Sequence, residues 1–394
     1  MSKQVLIISS EPYQYSESPL LGVFQKDQFE ALKNEGVNVS VLSPAGRSLR
    51  YLFRNVKRRN KLTVDLNNVY RANYINFAPR IAAFERRMFI ILGVLLFKKS
   101  IKNNGLPNII HAHNARYAGE LARIISKKWD IPYVVTEHSS WVLKKAYQGC
   151  DKHNIGLVFS DAKEVIAVGR KLAGVIQSEY HVSNICVVPN IVSEQFMLSV
   201  NDALSIKKSP PTNEFRLINV ASLDDNKNQL GIIQAFAKFK KKVPHAKLIL
   251  IGDGPSKSEI IRLINKLELT SCIQMCGALC RYKVVEQLLL AHIFVLGSFF
   301  ETFGVVMIEA NALGIPVLAT PCGGENDIII NQFNGLVLKD HSEQAIYEGM
   351  LEIHAMYDQF DGKAIASETR RQYSAPVIAQ QLDKIYNRVI AGNQ

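Results

Sequence analysis

Two doubly wound α/β domains built on parallel sheets are the fold class this chain predicts, on three observations. Short apolar runs such as Val5-Leu-Ile-Ile, Tyr133-Val-Val and Leu248-Ile-Leu-Ile alternate with amphipathic helical stretches along all 394 residues. Glycine-bearing turns follow several of those runs, as at Gly252-Asp-Gly254 and Gly323-Gly324, where a strand would hand over to a helix. A 47% hydrophobic content over this length suffices for two full cores. The boundary is placed at 198/199, opening a polar stretch, Ser199 to Glu214, that holds Lys207-Lys-Ser-Pro210-Pro211. Residues 1–198 and 199–375 then form the two domains, and 376–394, with helical periodicity from Pro376 to Ile390, form a C-terminal helix.

In chain order, Val5 to Ser10 is the first strand, and Ser18-Pro-Leu-Leu-Gly22-Val-Phe24 is a loop leading into a helix from Gln25. Ile109-Ile-His111-Ala-His113-Asn114 is a strand end whose two histidines are expected on opposite faces, one of them buried. Neither carboxylates nor cysteines cluster nearby to make them metal ligands. Pro132-Tyr-Val-Val-Thr136 is the next strand, and Glu137-His138 at its carboxyl end stand where ligands bind in open α/β sheets. Capping of the following segment is the alternative role for that pair. In the second half, Asn219-Val-Ala-Ser222 is a strand running into a loop with Lys227, then a helix through Ile232, then a strand ending at Gly252.

The most informative stretch is Ser298-Phe-Phe-Glu301-Thr-Phe303-Gly304-Val305-Val306-Met-Ile-Glu309. Two carboxylates eight positions apart frame a glycine turn that opens a helix, and unpaired N–H groups at a helix N-terminus favour an anion such as a diphosphate. One carboxylate then suits ribose hydroxyls and the other sugar hydroxyls. Gly314-Ile-Pro316-Val and Gly323-Gly324 follow as a buried strand with a glycine turn at its carboxyl end.

On these residues the chain resembles the retaining glycosyltransferases of family four (glycosyl transferases group 1), of the bacterial surface-polysaccharide type. That resemblance implies the GT-B fold, two Rossmann-like domains facing each other across a cleft, with the C-terminal helix crossing back onto the first. It implies catalytic roles for His113, Glu301 and Lys227. It implies donor binding by Gly22, Ser222, Gly252, Gly277, Ala278, Leu279, Phe303, Gly304, Val305, Val306 and Glu309. Glu137 and His138 fall on the acceptor side, and the Pro189-Asn190 turn closes the first domain. The family loop commonly carries Arg and Lys toward the diphosphate; here Ser222 stands at the Arg position, leaving Lys227 as the cation. No Asp-x-Asp motif is present to hold a divalent ion, so metal independence and no cofactor are expected.

Charge is concentrated. Between Ala45 and Asn104 lie 14 Lys or Arg against only Asp65 and Glu85, an excess equal to the +12 of the whole chain. Within it, the apolar run Phe89 to Phe97 is flanked by Arg86-Arg87 and Lys98-Lys99, and falls well short of the roughly 20 residues needed to span a bilayer. The pattern suits peripheral contact with anionic membrane, and no nucleic-acid motif accompanies it. Cys150, Cys186, Cys272, Cys276, Cys280 and Cys322 include no Cys-x-x-Cys pair, so reduced thiols and a cytoplasmic location at the inner face of the cell membrane are expected, without a secretory leader.

The expected activity is transfer of a sugar from a UDP- or GDP-linked donor to a hydroxyl of a glycan or lipid-linked oligosaccharide, in cell-surface polysaccharide or lipopolysaccharide synthesis. Two alternatives stay open at this point: a non-catalytic scaffold of the same fold binding lipid or protein through the basic segment, and a nucleotide-sugar 2-epimerase. A nicotinamide dehydrogenase is disfavoured, because no Gly-x-Gly-x-x-Gly follows the first strand.

Overall fold

The computed structural model describes residues 3–12, 23–47, 63–64, 68–77, 81–197 and 214–393. Gly22, the proline-rich stretch before Glu214 and the basic residues from Arg50 to Lys61 lie outside the described residues. The chain forms two compact units, one of Met1–Asn190 with Ala375–Gln394, the other of Ile191–Ser374.

In the first unit the strands are β1 (Gln4–Ile8), β2 (Asn38–Arg47), β3 (Thr63–Val64), β4 (Val69–Ile75), β5 (Ile109–His113), β6 (Tyr133–Glu137), β7 (Glu164–Ala167) and β8 (Ile185–Val187). They form a sheet of order β3-β4-β2-β1-β5-β6-β7-β8, parallel throughout except for the β3–β4 edge pair. Every residue of β1, β5 and β6 is buried, the signature of strands covered by helices on both faces. The helices are α1 (Val23–Asn34), α2 (Ala82–Asn104), α3 (Glu120–Trp129), α4 (Ser140–Leu143), α5 (Gly149–Asp161) and α6 (Arg170–Tyr180).

The second unit carries β9 (Phe215–Val220), β10 (Ala246–Ile251), β11 (Ile273–Gly277), β12 (Ile293–Leu296), β13 (Val317–Ala319) and β14 (Gly335–Val337). Their order is β11-β10-β9-β12-β13-β14, all parallel. Among its helices are α7 (Gln229–Lys242), α8 (Lys257–Lys266), α9 (Arg281–Leu289), α10 (Val305–Ala312), α11 (Glu325–Ile328), α12 (Glu343–Ala355) and α13 (Gly362–Tyr373). Phe236 and Phe239 of α7 pack with Leu217, Leu248 and Met350 in the core of this unit. Truncating either phenylalanine to alanine should cost about 3–5 kcal/mol.

The last helix, α14 (Ala375–Ala391), returns to the first unit. Its Ile378, Leu382 and Tyr386 are buried there, and the Tyr386 hydroxyl lies 2.7 Å from His111 Nδ1 on β5. The sequence boundary at 198/199 falls outside the described residues, whereas the units change over at Asn190/Ile191 and Ser374/Ala375.

Helix α2 settles the apolar run Phe89 to Phe97 as part of a two-faced helix. Phe89, Leu96 and Phe97 are buried, Phe97 edge-on to Trp129 at 4.8 Å, while Ile91 and Leu95 are 44% and 49% exposed. Among the described residues no helix is long and apolar enough to cross a membrane.

Candidate functional site

Each sheet has one place where the strand order reverses direction, and there the loops leaving two adjacent strands diverge to opposite faces and open a crevice at the carboxyl ends. In the second unit that place lies between β9 and β12. The loops leaving them are 221–228 and 297–304, which carry Ser222, Lys227, Glu301, Phe303 and Gly304.

These loops are stitched together. Phe299 N donates to Asn226 O at 2.8 Å and Asn226 Nδ2 donates to Phe300 O at 3.0 Å. Lys227 Nζ lies 2.7 Å from Glu301 Oε1, both side chains mostly buried. Ser222 turns its hydroxyl to Asp224 Oδ2 at 2.5 Å, so it does not add a cation and is held by a neighbouring anion.

Gly304 begins α10 in the left-handed region, φ 87°, and supplies no side-chain cap. The first amides of α10, on Val305 and Val306, therefore end the helix without a capping side chain. Phe303 gives the site backbone only, since its ring is buried edge-on to Tyr373 at 5.8 Å. Glu309 is buried on α10, about one turn into the helix. The Gly323-Gly324 turn is pressed against the same place: a Cβ on Gly324 would sit 1.9 Å from Phe303 O. Glu325 folds back to accept from Gly323 N, and burial beside Glu301 and Glu325 pushes the Cys322 thiol up to about 12, so it stays protonated.

Gly252 directly follows β10 and Gly277 ends β11, and they are joined by Gly252 N donating to Gly277 O at 2.9 Å. Gly252 is required by packing, because a Cβ there would meet Ala221 O at 1.8 Å; around Gly277 there is open space. Ala278 and Leu279 continue from it toward α9. A cavity of about 280 Å³ bordered by Arg216, Lys247 and Gln274 lies at the amino ends of β9 to β11, the opposite end of the sheet from these loops.

In the first unit the order reverses between β1 and β5. His111 and His113 end β5 on one face, with ring centroids 4.5 Å apart, and both are fully buried. The expectation of opposite faces is corrected, because side chains two positions apart on a strand share a face. His111 is used structurally, its Nε2 2.7 Å from Thr136 Oγ1 and its Nδ1 on Tyr386. His113 Nδ1 lies 3.1 Å from His138 Nε2, and its own Nε2 is buried without a partner. Burial holds all three imidazoles neutral, with His111 at about 3, His138 at about 4 and His113 well below the usual range. Among the described residues no group of three His, Cys, Asp or Glu could hold a metal ion.

Glu137 is fully engaged with backbone. Its carboxylate accepts from Ala115 N at 2.9 Å and Ser139 N at 2.8 Å, and burial raises its pKa to about 7 against the pull of those amides. It acts on the loops after β5 and β6, which is the capping role the sequence left open. Asn114, φ 71°, completes the tie: its side chain donates to Ser10 Oγ at 2.8 Å and accepts from His138 N at 2.9 Å. Asn190 lies beside His138. Asn114 directly follows a strand at the reversal point, where an asparagine is the residue type that tolerates this backbone, and that position is the signal that could have marked it.

Residues 22–196 match the family described as Glycosyltransferase Family 4, and residues 200–364 match Glycosyl transferases group 1. Over 354 residues the chain is 28% identical to the putative teichuronic acid biosynthesis glycosyltransferase TuaC of Bacillus subtilis, covering 86% of each protein. Its fold is similar to that of the sucrose-phosphate synthase of Thermosynechococcus elongatus, with TM-score 0.77, 18% identity, and 99% and 100% of the two chains covered. It is also similar to Anabaena Alr3699/HepE in complex with UDP, with TM-score 0.72, 17% identity, and 98% and 100% covered. The architecture is thus the GT-B type, two Rossmann-like α/β domains.

Proposed function

Since the chain belongs to the GT-B glycosyltransferases of the group 1 and family 4 type, we propose that it is a retaining, metal-independent enzyme that transfers a hexose-type unit from a UDP- or GDP-linked donor to a hydroxyl of a glycan or lipid-linked oligosaccharide. The observation that carries this reading is the Lys227–Glu301 pair beside the uncapped start of α10, at the reversal point of the second sheet. A cation and helix amides there supply what a departing diphosphate needs.

In this mechanism the donor diphosphate takes Lys227 from Glu301 and lies against the amides of Val305 and Val306. Glu301, released, accepts from the sugar hydroxyls, and Glu309 accepts from the ribose. Gly277, Ala278 and Leu279 border the base. The bond between the anomeric carbon and the phosphate oxygen breaks, and the acceptor oxygen bonds the same face of that carbon. The acceptor proton passes to the departing phosphate oxygen, so configuration is retained. His113, neutral at working pH, positions the sugar by hydrogen bonding and supplies no net charge.

A bacterial relative named for teichuronic acid biosynthesis supports a setting in surface-polysaccharide assembly. Exposed Ile91 and Leu95 on α2, with Arg87 and Lys98 on the same exposed side, support peripheral contact with an anionic membrane where lipid-linked acceptors reside.

The test is calorimetric titration of the protein with UDP, GDP, ADP and their sugars, with and without EDTA, alongside Glu309→Ala. Selective binding of one nucleotide that survives EDTA and weakens in the variant is expected. Failure of every nucleotide to bind would overturn the reading.

A further inference from the structure

Lys227 is one link in a closed circuit of contacts that the proposed mechanism does not use. Its two chain neighbours are held by different partners. Asn226 O accepts from Phe299 N at 2.8 Å, whereas Asn228 Nδ2 donates to His341 O at 3.3 Å. The circuit closes through side chains, because the His341 ring lies 5.1 Å from the Phe299 ring at an angle of 30°. Three loops thus meet, those after β9, β12 and β14, the last arriving from two strands beyond β12 in the sheet.

His341 belongs to neither charge-bearing loop. It reaches one of them by its backbone and the other by its ring, so it sets their spacing from outside. Its own loop is anchored: Asp340 Oδ1 accepts from Ser342 N at 2.8 Å, and Ser342 Oγ caps α12 by accepting from Ala345 N at 3.1 Å. Asn228 is anchored as well, its Oδ1 accepting from Gly231 N at 3.2 Å at the start of α7. These caps join the circuit to the ends of two helices, α7 and α12, whose Phe236, Phe239, Ile346 and Met350 share the core.

One atom of the imidazole shows how the ring is used. His341 Nε2 is buried without a hydrogen-bond partner. Hydrogen bonding at that nitrogen therefore does not explain the residue, and its stacking on Phe299 does. Phe299 is itself 39% exposed, two positions before Glu301, so the imidazole covers a ring that the rest of the unit leaves partly open.

We propose that His341 is a positioning residue, an aromatic plate that keeps Lys227 and Glu301 in register after a ligand has parted them. In the free protein the ion pair and the circuit tie the same two loops, and each covers for the other. With a diphosphate on Lys227 the ion pair is gone and the circuit holds the loops. That parting rests on the transferase reading above; the redundancy of the two ties does not.

The experiment is a double-mutant cycle on the full chain, read by melting temperature and by calorimetric titration with UDP and GDP. His341→Ala alone should lower the melting temperature little, because the ion pair still holds the loops. In a Lys227→Met background, without the pair, the same change should lower it about twice as far or more. The affinity of whichever nucleotide binds should fall about five-fold in His341→Ala, the size of one aromatic contact. His341→Phe keeps the plate and drops the unmet nitrogen, so it should retain that affinity and melt no lower than the parent. Phe299→Leu should reproduce the effects of His341→Ala, and the two together should do no more than either alone; it gives the same readings if His341→Ala does not fold. Equal melting losses in the two backgrounds, or a nucleotide affinity untouched by removing the plate, overturn the proposal. If neither nucleotide binds the parent, the transferase reading falls, while the melting cycle still decides whether the two ties are redundant.

Discussion

Lys227 and Glu301 come from loops 74 positions apart and meet with Nζ and Oε1 separated by 2.7 Å. The pair holds two mostly buried charged side chains from separate loops against each other. In the proposed mechanism, donor binding would exchange partners, the ammonium moving to a phosphate and the carboxylate to sugar hydroxyls.

Removing the cation should expose that exchange. Lys227→Ala loses a charge-assisted contact worth roughly 1.5–3 kcal/mol, which corresponds to about a 10- to 100-fold drop in kcat/KM. Initial rates of donor hydrolysis or transfer measure it. An unchanged rate would show that the helix amides alone carry the diphosphate.

The two carboxylates should separate kinetically. Glu309→Gln, deep in α10, is expected to raise the donor KM about ten-fold with a smaller change in kcat, while Glu301→Gln is expected mainly to lower kcat. Steady-state kinetics over a range of donor concentrations distinguish them. Equal effects on both parameters would refute the division of roles.

Stability should fall in mild acid. His111, His113 and His138 have native pKa values below the unfolded value of about 6.5. As pH drops below that value the unfolded chain takes up protons that the native chain refuses. Each such histidine costs about 1.4 kcal/mol per pH unit until its native pKa is reached, near 4 for His138 and 3 for His111. Glu137 opposes them, because its raised native pKa of about 7 lets the folded state take a proton first. Buried Glu120, its pKa also raised, opposes them in the same way. With three histidines against these two carboxylates, melting temperature should decline from pH 6.5 toward 4, and His138→Asn should flatten the decline. A flat profile in the parent would contradict the buried neutral assignment.

Membrane contact has its own signature. Co-sedimentation with vesicles containing anionic lipid should be salt-sensitive, at roughly 1 kcal/mol per engaged Lys or Arg. Ile91→Asp with Leu95→Asp should weaken it without lowering nucleotide affinity. Equal binding to neutral vesicles, or none to either, would remove the membrane from the account.

Part of the second unit's candidate site was legible in the sequence because that part is local. Glu301, Gly304 and Glu309 lie within one turn and one helix, and period and turn chemistry give their arrangement directly. The first unit was harder because its key contacts join distant strands. The sequence left Glu137 as either an acceptor-side carboxylate or a cap, and its partners Ala115 and Ser139 belong to two loops that only the sheet order brings together. The histidines carried a misapplied alternation, and nothing local signals that His111 meets a tyrosine 275 positions later. Likewise Ser222 could be read as a missing cation, but its bond to Asp224 required coordinates.

That tyrosine has a consequence for biosynthesis. When residues 1–190 leave the ribosome they lack α14, whose Ile378, Leu382 and Tyr386 complete their interior. Residues 191–374 form a compact unit of their own that does not include α14. The later half should therefore be the first to reach its finished state, reversing the usual amino-to-carboxyl order of domain maturation. Proteolysis of nascent chains stalled after residue 374 would reveal it, with a resistant second unit and a still-cleavable first one.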